Sequence, residues 1–180
     1  MADLIVVVTG ASGAGKTATV QALEARALPG VRCFHFDSIG VPTEEAMVRD
    51  HGGAEQWQAW ATNQWITRLA SLGEGVRVAV LDAQTRPSTV FAAGGAGGSW
   101  RAHVVLLDCS MGVRAARLRG PRGQPELATD RMDTWAAYLR GQADALGLPV
   151  IDTSMLTIEE AARDLEAIVR RLTDSEAPAP

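Results

Sequence analysis

The chain has 180 residues, 47% hydrophobic and 21% charged, the size and balance of one soluble globular domain; a disordered polymer and a bundle of membrane spans are both excluded. Seventeen Lys and Arg against 21 Asp and Glu give a net charge of −4 and a pI near 5.4, so no basic field covers the surface and a nucleic-acid partner is disfavoured. No stretch reaches the roughly 18 apolar residues that cross a bilayer, and the start MADLIVVVTG lacks the basic flank of a signal peptide, so a cytoplasmic protein with no membrane partner is expected.

Leu4 to Val8 is an unbroken β-branched run that ends in glycines, the pattern of a parallel strand buried on both faces. The segment Gly10-Ala11-Ser12-Gly13-Ala14-Gly15-Lys16-Thr17 that follows fits GxxxxGK[ST] at every fixed position. From Lys16 to about Ala27 small and apolar residues recur at helical spacing and stop before Pro29-Gly30. A strand, a glycine turn and a helix in that order make a phosphate cradle: successive N–H groups and the helix dipole face the anion. Lys16 then reaches the β- and γ-phosphates of ATP, and the Thr17 hydroxyl ligates Mg²⁺.

Further apolar runs at Val31 to Phe36, Val76 to Leu81, His103 to Leu107 and Pro149 to Ile151 alternate with helical periodicity. They predict five parallel strands with helices on both faces. The second strand ends in Asp37-Ser38, which places a carboxylate over the mouth of the sheet, where it can act as base on a substrate hydroxyl or belong to the Mg²⁺ shell. Between strands two and three, Trp57, Trp60, Ala61, Trp65 and Leu69 recur at three- and four-residue spacing, predicting one short and one longer helix with a tryptophan core stripe; Thr62, Asn63 and Gln64 are candidates for a pocket lining.

Strand three ends at Asp82, at the carboxyl edge where open α/β sheets bind ligands, and this residue is a candidate for the Mg²⁺ shell or a loop cap; Gln84 and Arg86 follow near the same edge as candidate substrate contacts. Ala92 to Ser99 carries four glycines and predicts a surface loop without helix. After strand four, Arg114, Arg117, Arg119 and Arg122 lead into a Gly/Pro loop, a basic face or a set of guanidinium groups for phosphoryl oxygens, with Arg117 and Arg122 the preferred pair. Asp152 and Thr153 follow strand five as candidates beside the nucleotide, and Thr157 with Glu160 forms a capping box for the last helix. Cys33 and Cys109 have no spacing suited to zinc or redox pairing and are expected as reduced thiols.

With these motifs in place, the sequence resembles the P-loop kinases of the nucleoside monophosphate kinase type, which include adenylate, shikimate and gluconate kinases. The resemblance spans nearly the whole chain and implies a three-layer α/β/α sandwich with strand order 2-3-1-4-5. It also implies one kinase domain over residues 1–173, with a helical acceptor-binding insertion at 43–72 and a lid at 117–130; the acidic, Pro/Ala-rich end at 174–180 is expected from its composition as a disordered tail. Within this group the chain is similar to chloramphenicol phosphotransferases in its length, its early phosphate loop and the Asp-Ser after strand two, which implies that Asp37 is the base and Ser38 a neighbour of the acceptor. It departs from them at Ile39-Gly-Val-Pro42 and in its Trp-rich helices, so the resemblance leaves the acceptor open. No NKxD or LSGGQ-like motif is present, which sets aside GTPases and transporter ATPases. The reading is an ATP- and Mg²⁺-dependent phosphotransferase acting on a hydroxyl of a small-molecule acceptor, an antibiotic or another metabolite. A nucleotide or polynucleotide kinase and a non-catalytic ATP-dependent switch are the alternatives, with monomer and homodimer both open.

Overall fold

The computed structural model describes residues 2–94 and 101–175. Five strands, β1 (Leu4–Thr9), β2 (Val31–His35), β3 (Val78–Asp82), β4 (Arg101–Asp108) and β5 (Val150–Asp152), form one parallel sheet of order β2-β3-β1-β4-β5. Among the described residues, seven helices join and cover them: α1 (Lys16–Ala25), α2 (Glu44–His51), α3 (Ala54–Ala70), α4 (Pro87–Gly94), α5 (Met111–Arg119), α6 (Asp130–Leu146) and α7 (Ile158–Ser175). The expected three-layer architecture and strand order are observed.

The central strand explains the sheet. All six residues of β1 are buried, and its side chains alternate between two cores. Ile5 and Val7 meet Trp57, Ala61, Trp65 and Leu69 of α3 on one face, while Leu4, Val6 and Val8 meet Val20 and Leu23 of α1 and Leu165 and Val169 of α7 on the other. Helix α7 is fixed to α1 by Arg26, which pairs with Glu166 at 2.8 Å and Glu159 at 3.0 Å. The predicted box at its start forms: Thr157 N donates to Glu160 Oε2, and Glu160 N to Thr157 Oγ1.

Several expectations are corrected. Phe36 does not extend β2; it opens a single helical turn, Phe36–Ile39, because its carbonyl accepts the Trp65 indole N–H at 3.0 Å and its ring meets Trp57 edge-on. Val76 lies outside β3, since Arg77 N and Val78 N both donate to the Gly30 carbonyl before the ladder begins. Trp60 is not part of the tryptophan stripe: the four-residue line Trp57, Ala61, Trp65, Leu69 is buried, whereas Trp60 is exposed and packs on His51 with ring centroids 4.9 Å apart. Ala92, Ala93 and Gly94 form the end of α4 rather than a loop, and residues 95–99 of that expectation lie outside the described residues. Asp174 and Ser175 likewise belong to α7, while 176–180 of the expected tail lie outside the described residues.

Candidate active site

The phosphate loop is bent by three glycines at positive φ, Gly10, Gly13 and Gly15. Gly10 leaves β1 at φ 152°, where a Cβ would stand 2.2 Å from the Leu107 carbonyl oxygen of β4, so only glycine allows the chain to pass this close to the sheet. Gly15 precedes α1 at φ 95° and supplies no side-chain cap, and the first turn of α1 holds no acidic residue. The leading amides of α1 are thereby left for an external anion at the positive end of the helix dipole. Ala11 and Ala14 are buried and shape the loop.

Lys16 lies folded into the loop, with Nζ donating to the Ala11 carbonyl at 3.2 Å. Burial pushes its pKa down to about 8; the Arg122 charge adds to the depression, while Asp82 and Asp37 oppose it. Thr17 Oγ1 donates to Asp82 Oδ2 at 2.6 Å, and His35 Nδ1 stands 3.4 Å from the same oxygen. That contact follows from the sheet, because His35 and Asp82 are register partners at the ends of β2 and β3. A hydroxyl and a carboxylate side by side at a phosphate-binding turn are hard oxygen donors, and they fit Mg²⁺.

Two cavities meet at this loop. One, of about 440 Å³, runs from Gly13 and Gly15 past Arg117 and Thr153 to the apolar side chains of Pro121, Leu156 and Ile158. The other, of about 480 Å³, lies between Lys16, the turn bearing Asp37, the start of α3 and the end of β3. Thr17, Gln21 and Arg122 line both. Asp37 is exposed on the wall of the second cavity, where Ser12 Oγ donates to Gln84 Oε1 at 3.0 Å.

The preferred arginines divide. Arg122 faces both cavities, and its Nε donates to Gln124 Oε1. Arg117 is a clamp: Nη1 donates to Thr153 Oγ1 at 2.9 Å and the Gly13 carbonyl at 3.4 Å, and Nη2 to the Thr153 carbonyl at 2.7 Å. Thr153 Oγ1 in turn donates to the Ala14 carbonyl at 2.8 Å, so Thr153 and Arg117 together hold the phosphate loop from below. Arg114 is buried against Asp133, at 3.0 Å, and is structural.

Other expected contacts stand apart from the cavities. Ser38 is exposed and lines neither cavity. Asp152 is exposed beside the first cavity, where hydrogen bonds from the Ser154 hydroxyl and amide hold its carboxyl below the usual range. Arg86 stands behind the wall of the second cavity: it reaches Gln58 Oε1 at 3.4 Å and Glu55 at 3.3 Å, with its guanidinium carbon 5.1 Å from the Trp135 ring centre. Thr62 is buried and bonded to Thr85 Oγ1 at 2.8 Å, and Asn63 and Gln64 are on the solvent face of α3, so none of the three lines the cavity.

Sequence reasoning missed Gln21, His35 and Gln58. Gln21 was within reach, since it follows Thr17 by one helical turn and shares its face. Gln58 had no such signal; it becomes a wall residue because its Nε2 donates to the Gln84 carbonyl across 26 positions of sequence.

No family model matches the sequence, and no curated protein matches it. Solved structures do. A gluconokinase from Sinorhizobium meliloti 1021 superposes with a TM-score of 0.69 at 20% identity, covering 96% of this chain and 95% of that one. The tunicamycin resistance protein of Deinococcus radiodurans gives 0.62 at 21% identity over 93% and 95%, and a shikimate kinase from Acinetobacter baumannii gives 0.57 at 18% over 99% and 97%. Full-length superposition, the parallel order β2-β3-β1-β4-β5 and a phosphate loop at the end of the central strand give this chain the P-loop kinase fold.

Proposed function

We propose that the protein is an ATP-dependent phosphotransferase that moves the γ-phosphoryl group to a hydroxyl of a small molecule. The observation that carries this reading is the meeting of two cavities across Thr17, Gln21 and Arg122, one with an apolar end suited to a base and one with a carboxylate on its wall. A donor and an acceptor held end to end at one loop are what in-line transfer requires. The related folds of a gluconokinase and a shikimate kinase support the same reading.

The chemistry assigns each residue a task. Leu156 and Ile158 cover the base, and the amides that begin α1 hold the phosphates. Thr17 and Asp82 would hold Mg²⁺, which when bound supplies charge neutralisation at the phosphates. Asp37 accepts the acceptor's hydroxyl proton while the new O–P bond forms and the bond from the γ-phosphorus to the bridging oxygen breaks, so ADP leaves with the electron pair. Lys16 and Arg122 hold the charge spread over the moving phosphoryl oxygens.

The test is incubation with ATP and Mg²⁺ against hydroxylated antibiotics, sugars, nucleosides and nucleotides, following ADP release and acceptor mass. Phosphorylation of one acceptor, with ADP formed in equal amount, is expected. Tight ATP binding with slow turnover unaffected by every acceptor would replace the transferase by a nucleotide-dependent switch.

A further inference from the structure

Resting on that reading, we infer that the acceptor is an uncharged, hydroxyl-bearing molecule with an apolar portion, held between the Asp37 carboxylate and the Gln84 carboxamide, and that carboxylate- or phosphate-bearing molecules are excluded. The basis is the distribution of charge around the second cavity. An anionic acceptor needs a cation at the end remote from the transferred phosphoryl group. Among the described residues, the Lys and Arg side chains lining this cavity are Lys16 and Arg122, and both stand at the phosphate loop. The imidazole of His35 is already held by Asp82.

The guanidinium nearest the far wall is turned away from it. Arg86 is occupied by Glu55 and Gln58, lies over the rings of Trp135 and Tyr138, and does not line the cavity. What the far wall offers instead is Asp37, two carboxamides and the apolar surfaces of Phe36, Val41 and Trp57. A second carboxylate brought beside Asp37 meets a like charge with no cation to offset it.

The hydrogen-bonding capacity of the wall points the same way. Gln84 Oε1 is taken by Ser12, which leaves its amide N–H groups to donate into the cavity, while Asp37 can only accept. A hydroxyl satisfies both at once, donating to Asp37 and accepting from Gln84. Gln58 is fixed at both ends of its carboxamide, by the Gln84 carbonyl and by Arg86, and so sets the shape of the wall. Val41 is more than half exposed at the rim, an apolar edge for the part of the molecule that does not react.

Matched pairs test the assignment: uridine against uridine 5′-monophosphate, methyl shikimate against shikimate, and glucitol against gluconate. Each is measured with the full-length protein by thermal shift in ADP and Mg²⁺ and, separately, by phosphoryl transfer from ATP. The neutral member of at least one pair should bind, with a preference of about tenfold or more over its anionic partner. Stronger binding or transfer for the anionic members overturns the inference while leaving the transferase intact. Binding of neutral members without transfer upholds the neutral ligand class of this cavity and removes the transferase. No binding by any neutral member, in protein that binds ATP, overturns the inference. Gln84→Leu should raise the KM of a neutral acceptor about tenfold without changing the KM of ATP, and Gln84→Asn should restore part of it; an unchanged acceptor KM removes Gln84 from the contact.

Discussion

Replacing Gly10 and Gly15 with alanine in turn separates what the phosphate loop needs to fold from what it needs to bind. At Gly10 the new methyl would lie 2.2 Å from the backbone oxygen of Leu107, and neither can rotate away, because the oxygen is backbone and a Cβ is fixed by its own backbone. The loop must lift off β4, at about 1–3 kcal/mol for overpacking and a similar amount for alanine at a φ of 152°. For a chain of this length a loss of about 4 kcal/mol lowers Tm by about 12 °C. At Gly15 the methyl meets nothing closer than Arg117 Nη1 at 3.8 Å, so the positive φ alone costs about 1–2 kcal/mol. Its Tm should fall by about 3–6 °C. That methyl, however, lies in the cavity where the phosphates are proposed to sit, so Gly15→Ala should weaken ATP about tenfold or more by calorimetry. Equal Tm losses in the two variants, or unchanged ATP affinity in Gly15→Ala, would refute the reasoning.

Three further outcomes follow from the same geometry. Asp37→Asn keeps the shape of the wall but cannot take a proton, so transfer should slow by about 10² or more with ATP affinity unchanged in a binding titration. Trp65→Phe keeps an aromatic side chain but removes the hydrogen bond to the Phe36 carbonyl that fixes the Asp37 turn; steady-state kinetics should show kcat falling and acceptor KM rising together, with the KM of ATP constant. Burial pushes the Cys33 thiol up to about 12 from an ordinary 9.0, so at pH 8 iodoacetamide should modify it about a thousandfold more slowly than a free thiol. The sign on stability follows: the unfolded chain releases this proton near 9.0 and the folded one near 12, so the contribution is complete below pH 9.0 and is lost as pH rises to 12, which denaturant titrations across that window should register.

Legibility in the sequence tracks locality. The strand, loop and helix from Leu4 to Ala25 could be read almost residue by residue, because glycine positions, β-branched runs and helical spacing are short-range signals. The strand ends failed where distant groups decide them: Phe36 turns because of an indole 29 positions away, and β3 starts at Val78 where the Gly30 carbonyl takes the amides of both Arg77 and Val78. Trp60 carried the same spacing signal as its neighbours, but only the four-residue line through Trp57 and Trp65 faces the sheet. At the site, the loop residues and Asp82 were predictable from type and position. The separate roles of Arg117 and Arg122 were not, since one is consumed by Thr153 and the other is left facing both cavities. The carboxamide pair was equally hidden, because no spacing rule links Gln58 to Gln84.

The clamp under the phosphate loop also constrains the order in which the molecule can be made. Thr153 grips Ala14 from 139 positions downstream, and Arg117, bonded to that same threonine, also reaches the Gly13 carbonyl. The glycine turn precedes its floor in the chain, and that floor is absent until β5 has emerged and paired with β4. A chain that has not yet paired β5 with β4 therefore holds a phosphate loop without its clamp.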